Sequence, residues 1–324
     1  MKRKKCHRVF VVAAIGNRQS IIERKDAAKK PLAIIPYSYL LLSRPSDTAS
    51  MAAISLRQRL LKGAKSYGPM LLSDSPVAAE ILAGTGYGHI LVDHEHSPTN
   101  VRSGQALLQA IQGAAAFSSV KTEPIVRLPS PHDPAYMKKV LDSMRLPAGV
   151  LVPMVDNAET ALAVARSTRY PKQETSQLSG QGGIRGCAVP FIRGSSWGRN
   201  VDYMKQCETD LLVMVQVESL AGVQAIPDIA AVEGIDAIFL GPMDLSCSIG
   251  KMGLFDDEQV KGLIQAAEQA VRDSDCLLAG FRSPGRDLKE MFDAGYSLVC
   301  GSVDVRLLQN AAFQDLEAAK AAME

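Results

Sequence analysis

The residues of this chain that could do acid–base or ionic chemistry fall at the ends of short apolar runs. Asp93 ends HILVD (89–93), and His94, Glu95 and His96 follow at once. Arg127 lies in PIVRL (124–128), Gln216 and Glu218 close LLVMVQVE (211–218), and Asp244 follows AIFLG (237–241). The types fit one chemistry. Glu218 and Asp244 are hard oxygen donors of the kind that Mg²⁺ or Mn²⁺ takes one or two at a time, the other positions going to water and substrate. An ion held so openly polarises a carbonyl and stabilises an enolate. Arg127 can pair with a carboxylate or with a developing enolate oxygen. His96, oriented by Asp93, is a candidate acid and base. No run of this kind ends in a lysine, which a Schiff-base aldolase would need.

Such residues need a frame that brings distant strand ends together. Eight apolar runs read as strands: 67–72, 89–93, 124–128, 149–153, 211–218, 237–241, 277–281 and 297–301. They lack alternation, which suits strands buried on both faces of a parallel sheet. Helical periods lie between them. The clearest is 257–273, where Val260, Leu263, Ile264, Ala267 and Val271 form one apolar stripe. Eight strands with intervening helices over this length suit a (β/α)₈ barrel, whose active sites lie at the C-terminal ends of the strands. A doubly wound open sheet is the alternative, weakened because no G-x-G-x-x-G follows the first strand. The long gap 154–210, rich in Gly, Ser and Gln at 173–186, reads as a loop over the barrel mouth, with Trp197 and Arg199 as lid or packing residues.

The 324 residues, 47% hydrophobic, can bury a large core. A net charge of +2 gives no argument for nucleic acid or an anionic membrane, and no apolar run is long enough to span one. The 6 cysteines show neither CxxC nor metal spacing and read as reduced, mostly buried thiols. Met70, Met154 and Met214 read as core. Residues 1–54 form a basic extension opened by KRKK, expected to be a flexible tail or an extended gene-model start, with a mitochondrial presequence as the second reading. The expected location is accordingly cytoplasmic, or mitochondrial if that segment is a presequence.

At these residues the chain resembles the HpcH/HpaI aldolase family, the metal-dependent class II pyruvate aldolases. The family pattern D-x-E-H matches Asp93, Glu95 and His96; V-R-x-P matches Val126, Arg127 and Pro129; L-V-P-M matches Leu151 to Met154. Q-x-E matches Gln216 and Glu218, and G-P-x-D-L-S matches Gly241, Pro242, Asp244, Leu245 and Ser246. The resemblance covers roughly 55–320 and implies a (β/α)₈ TIM barrel of the phosphoenolpyruvate/pyruvate-binding type over 55–324. It implies a divalent cation (Mg²⁺, Mn²⁺ or Co²⁺) on Glu218 and Asp244, chelated by the keto and carboxylate oxygens of pyruvate. The pyruvate carboxylate would meet backbone amides near Met243 and Asp244, beside Gly241 and Pro242. Gln216 would bind metal waters or substrate, Arg127 would stabilise the enolate, and His96 with Asp93 would move the proton of the 4-hydroxyl. The implied reaction is reversible cleavage of a 4-hydroxy-2-oxo acid, such as 4-hydroxy-2-oxoheptanedioate, to pyruvate and an aldehyde. The implied assembly is a homo-oligomer, often a hexamer of dimers that exchange the last helix. Three departures stand out: His94 where a small or apolar residue is usual, extra residues between Tyr170 and Arg185, and GSVDV (301–305) near the last strand.

Other readings share parts of this pattern. A CoA-ester lyase would need a longer chain end and a basic nucleotide pocket. An oxaloacetate decarboxylase or enolate-coupling enzyme needs the same metal chemistry. A barrel that binds a 2-oxo acid without turning it over would not need all of Asp93, His96, Arg127, Glu218 and Asp244.

Overall fold

The computed structural model describes residues 54–144, 147–171, 182–283 and 285–323. The basic extension, with its tail and presequence readings, lies outside the described residues except for its last residue, Ile54. Eight parallel strands close a barrel in sequence order. They are β1 (Ser66–Leu71), β2 (His89–Asp93), β3 (Glu123–Arg127), β4 (Gly149–Val152), β5 (Leu212–Val217), β6 (Ala237–Leu240), β7 (Leu277–Phe281) and β8 (Tyr296–Val303). The helices are α1 (Leu56–Leu61), α2 (Pro76–Gly84), α3 (Val101–Ala114), α4 (Pro134–Ser143), α5 (Ala158–Thr168), α6 (Tyr203–Thr209), α7 (Leu220–Gln224), α8 (Ile226–Ala230), α9 (Pro242–Ser248), α10 (Glu258–Arg272), α11 (Leu288–Asp293) and α12 (Asp304–Met323). The open-sheet alternative is thereby excluded, and the strands match the predicted runs within one or two residues at each end. None of these helices is long and apolar enough to cross a membrane.

Two apolar layers explain why the strands read as unbroken hydrophobic runs. Leu91, Ile125, Leu151, Met214, Phe239, Ala279 and Leu298 fill the barrel interior. Their strand neighbours Ile90, Val92, Val126, Val150, Val215 and Ile238 pack outward under the helices. Both faces are dry, so neither carries polar residues along most of the strand. Helix α1 plugs the interior with Leu56 and Leu60 and is held by ion pairs from Arg57 to Asp236 (2.7 Å) and from Arg59 to Glu123 (3.0 Å). Asp236 and Glu123 stand at the starts of β6 and β3, so α1 closes the end opposite the mouth. The predicted helix at 257–273 appears as α10, started by Asp257, whose carboxylate accepts the Gln259 and Val260 amides.

The segment before β5 corrects the sequence reading. Its described part, from 182 onward, does not cover the mouth. The Ile184 amide bonds the Arg166 carbonyl near the end of α5, and the Gly194 amide bonds the Asp142 carbonyl near the end of α4. Helices of the barrel run against the strands, so these helix ends lie at the end opposite the active-site face. A connection from α5 to β5 must start there. Arg185 fastens it: the guanidinium is buried between the Tyr170 and Tyr203 rings and pairs with Asp142. Trp197 belongs to this packed segment, in a left-handed backbone conformation shared with Ser196 (φ 56° and 55°). The cysteine expectation also needs correction: Cys207 and Cys300 are buried, but Cys187 and Cys247 are exposed.

Candidate active site

Parity along the strands decides which polar side chains enter the mouth. Alternate residues of a strand point to opposite faces. Asp93 is in phase with inward Leu91, Arg127 with inward Ile125, and Gln216 with inward Met214; Glu218 continues the last series. These four therefore form a polar layer on top of the apolar interior.

Register then sets partners. Asp93 and Arg127 are direct neighbours across β2 and β3. Arg127 donates from Nε to Asp93 Oδ1 at 2.7 Å and from Nη2 to Asp93 Oδ2 at 2.8 Å. Its Nη1 stands 3.0 Å from Glu95 Oε2, and its Nη2 also approaches Met70 Sδ at 3.6 Å. The guanidinium lies over the Phe281 ring, 5.5 Å from its centroid. The pair is almost wholly buried, with 3% of the arginine and none of the aspartate side chain exposed. Burial alone would raise the Asp93 carboxyl, but the Arg127 hydrogen bonds and charge, with two backbone amides, outweigh it and hold the group below its ordinary range. Burial would likewise lower Arg127, and Asp93, Glu95 and Glu218 together raise it instead.

This geometry corrects the expected pairing of Asp93 with the His96 ring. Asp93 accepts the backbone amides of Glu95 (3.1 Å) and His96 (3.2 Å), and its carboxylate is otherwise taken by Arg127. It shapes the turn that carries His96 and does not orient the imidazole. The His96 side chain is 66% exposed at the mouth, with Nε2 3.8 Å from Glu95 Oε2. Glu95 is the carboxylate beside it. Burial raises the Glu95 carboxyl, Arg127 and His96 offset part of this, and Asp93 and Asp244 add to it. His94, by contrast, turns away into the wall: Nδ1 meets the Tyr136 hydroxyl at 2.9 Å, and burial pushes the imidazole down to about 4.

Glu218 is the most perturbed acid of the mouth. Burial raises its carboxyl to about 7; the Met154 amide and the Gln216 side chain pull the other way, and Asp244 and Glu95 push it further up. Its Oε1 accepts the Met154 amide at 2.7 Å, and Oε2 accepts the Gln216 amide nitrogen. Gln216 is fully buried, and its Oε1 has no hydrogen-bond partner among the described residues. Gly241 gives this pair room, because a Cβ there would lie 3.0 Å from Gln216 Nε2 and 3.1 Å from Glu218 Oε2. Pro242 opens α9, no side chain caps that helix, and Met243 and Asp244 are exposed in its first turn.

These groups line a cleft of about 210 Å³ formed by Glu95, His96, Met154, Asp156, Glu218, Ser219 and Asp244. Three of its residues escaped the sequence reading. Met154 is not core: it is 60% exposed, has φ 55°, and offers its amide to Glu218. Asp156 accepts the Ser219 hydroxyl at 2.6 Å, and Ser219 also caps α7. The signal for Asp156 was available, since it follows a strand run by a few residues as Asp244 does.

The donor set suits an open divalent cation site. Glu218 and Asp244 supply oxygen, the local charge is negative, and a buried amide oxygen stands uncommitted beside Glu218. Among the described residues no three His, Cys, Asp or Glu side chains gather into a closed metal cage. Two protein carboxylates would leave the remaining positions to water and substrate.

Comparison with known proteins agrees with this architecture. The family model for HpcH/HpaI aldolase/citrate lyase matches residues 67–311. A 4-hydroxy-2-oxo-heptane-1,7-dioate aldolase of Escherichia coli is 34% identical over 258 residues, covering 80% of this chain and 92% of that protein. A hydroxypyruvate/pyruvate aldolase of Chromohalobacter salexigens is 36% identical over 255 residues, covering 78% and 93%. The crystal structure of an HpcH/HpaI aldolase/citrate lyase family protein from Burkholderia cenocepacia superposes with a TM-score of 0.73 at 32% identity, covering 82% of this chain and 98% of that one.

Proposed function

Because the chain belongs to the HpcH/HpaI aldolase/citrate lyase family and is an aldolase, a carbon–carbon lyase, we propose that it reversibly cleaves a 4-hydroxy-2-oxo acid to pyruvate and an aldehyde with the help of a divalent cation. The observation that carries this reading is the Glu218 carboxylate, fixed by the Met154 amide and the Gln216 side chain, in one cleft with Asp244 and His96. Bound by Glu218 and Asp244, Mg²⁺, Mn²⁺ or Co²⁺ would supply Lewis-acid charge beside the 2-oxo group. Gln216 would hold that end of the substrate or its waters through the uncommitted amide oxygen. The amides of Met243 and Asp244, past Gly241 and Pro242, would receive the substrate carboxylate. Arg127 commits its Nε and Nη2 hydrogens to Asp93 and Met70, and Nη1, paired by charge with Glu95 at 3.0 Å, would turn to the enolate oxygen. Asp93 would act by holding Arg127 and the backbone before His96. His96, with Glu95 beside it, would take the proton of the C4 hydroxyl during cleavage and return it during condensation.

We further propose a homo-oligomer, a hexamer of dimers that exchange the last helix. Helix α12 supports it, since Leu308, Phe313 and Leu316 are exposed along its length. No role for nucleic acid or membrane enters this reading. The test is pyruvate release from a 4-hydroxy-2-oxo acid after EDTA and after added Mg²⁺ or Mn²⁺. Activity lost to EDTA, regained with metal and absent in Glu218→Gln is the expected result. Cleavage indifferent to EDTA would overturn the reading.

A further inference from the structure

The cleft is lined by Glu95, Asp156, Glu218 and Asp244, with His96 as its one basic group and no lysine or arginine among the described residues. These carboxylates are not equivalent. Glu95 is matched by Arg127 at 3.0 Å. Glu218 and Asp244 are the pair to which the proposed function, on which this inference rests, assigns the cation. Asp156 has no cationic partner among the described residues. Its Oδ1 is held by the Ser219 hydroxyl at 2.6 Å, pressed close to Gly222, where a Cβ would come within 2.7 Å. Its Oδ2 is engaged by no described donor. The side chain is thus fixed at one oxygen and open at the other, on the wall between the ends of β4 and β5.

We propose that Asp156 is a specificity-determining residue that makes the acceptor side of the cleft select an uncharged, hydroxyl-bearing aldehyde over one that ends in a carboxylate. The first carboxylate of the substrate is accounted for by the cation and the start of α9. A second, at the far end of the aldehyde half, would meet Asp156 with no described cation to balance it, and like charges at short range are unfavourable. A hydroxyl on the aldehyde carbon chain finds in Asp156 Oδ2 a charged acceptor, which makes the stronger kind of hydrogen bond. Selection therefore has an attractive and a repulsive part.

The experiment uses the full-length protein with Mn²⁺. Exchange of the pyruvate C3 protons with D₂O, followed by NMR, is read first, because it needs no aldehyde. Absent exchange overturns the proposed function and this inference with it. With exchange present, kcat/KM for condensation of pyruvate with glycolaldehyde is compared with that for succinic semialdehyde. A preference of at least about tenfold for glycolaldehyde, narrowed about tenfold or more in Asp156→Asn, is expected; one such factor corresponds to about 1.4 kcal/mol. Asn keeps an oxygen for Ser219. A second measurement needs no variant: calorimetric binding of 2-oxopentanoate and 2-oxoglutarate, which differ in charge at the far end. Tighter binding of 2-oxopentanoate, which carries no charge at its far end, supports the proposal. A preference for succinic semialdehyde or 2-oxoglutarate, or an unchanged ratio in Asp156→Asn, overturns it while leaving the aldolase reading intact.

Discussion

Separating the two charges of the Asp93–Arg127 pair should destabilise the barrel and silence it by different routes. Nothing of Asp93 and 3% of Arg127 is exposed, so neither charge can turn to water when its partner goes. Removing one member of a buried pair costs about 3–5 kcal/mol, because the survivor stays buried and uncompensated. In Asp93→Asn, Arg127 keeps only Glu95 and faces the new amide donors. In Arg127→Met, Asp93 keeps only two amides. For a domain of this size each kcal/mol moves Tm by roughly 2–4 °C, so each single variant should melt about 10 °C lower. The double variant Asp93→Asn/Arg127→Met removes both charges of the pair and leaves Glu95 beside His96 alone. Its loss should fall short of the sum of the singles by about 2 kcal/mol or more. Urea unfolding of the four proteins gives the cycle, and pyruvate release gives activity. Activity should fall at least 100-fold in all three variants, and the double should recover stability without recovering turnover, since the arginine charge is gone. Losses that add within about 0.5 kcal/mol would refute the argument, as would a double variant that cleaves substrate.

Three further outcomes follow from individual residues. Glu218 must lose its proton to bind metal and sits at about 7, so Mn²⁺ affinity read by electron paramagnetic resonance should fall about tenfold per pH unit below 7 and level off above it; a plateau already complete at pH 5 would contradict the site. His89 and His94 are kept neutral by burial, at about 3 and about 4. The unfolded chain binds more protons than the folded one below about 6.5, so stability is lost as pH falls through that range, about 2 kcal/mol per histidine at pH 5. Glu218, raised instead of lowered, acts in the opposite sense without metal, so the informative comparison is His94→Gln against the wild type at pH 5 and 7.5: the variant should lose less on acidification, and parallel losses would count against it. Finally, Gly104→Ala should destabilise by about 1–2 kcal/mol in urea, because overpacking outweighs the roughly 1 kcal/mol helix preference for alanine; a Cβ there would lie 2.6 Å from His94 Nε2 and 2.7 Å from Met144 Cε. A more stable Gly104→Ala would show that the wall beside His94 yields.

The strands and the barrel were legible in the sequence because local composition carries them. Runs such as HILVD and LLVMVQVE are unbroken apolar stretches through their middles, and only a sheet dry on both faces uses such runs repeatedly. The polar residues stood at strand ends for the same reason: the interior layers around Leu91, Ile125 and Met214 exclude them. Glu218, Asp244, Arg127 and Gln216 could thus be gathered at one rim from chain order alone. What each side chain touches depends on parity, register and helix direction, which no local run encodes. Zero stagger between Asp93 and Arg127 across 34 residues of chain gives the aspartate to the arginine and leaves the His96 ring beside Glu95. A left-handed turn brings Met154 out of the core and its amide onto Glu218. The antiparallel run of α5 against the strands carries the described segment from 182 onward to the far end of the barrel, where length and composition alone had suggested a lid. Strand existence is a property of short stretches of chain, whereas the pairing of charges is a property of closure, and only the closed barrel decides it.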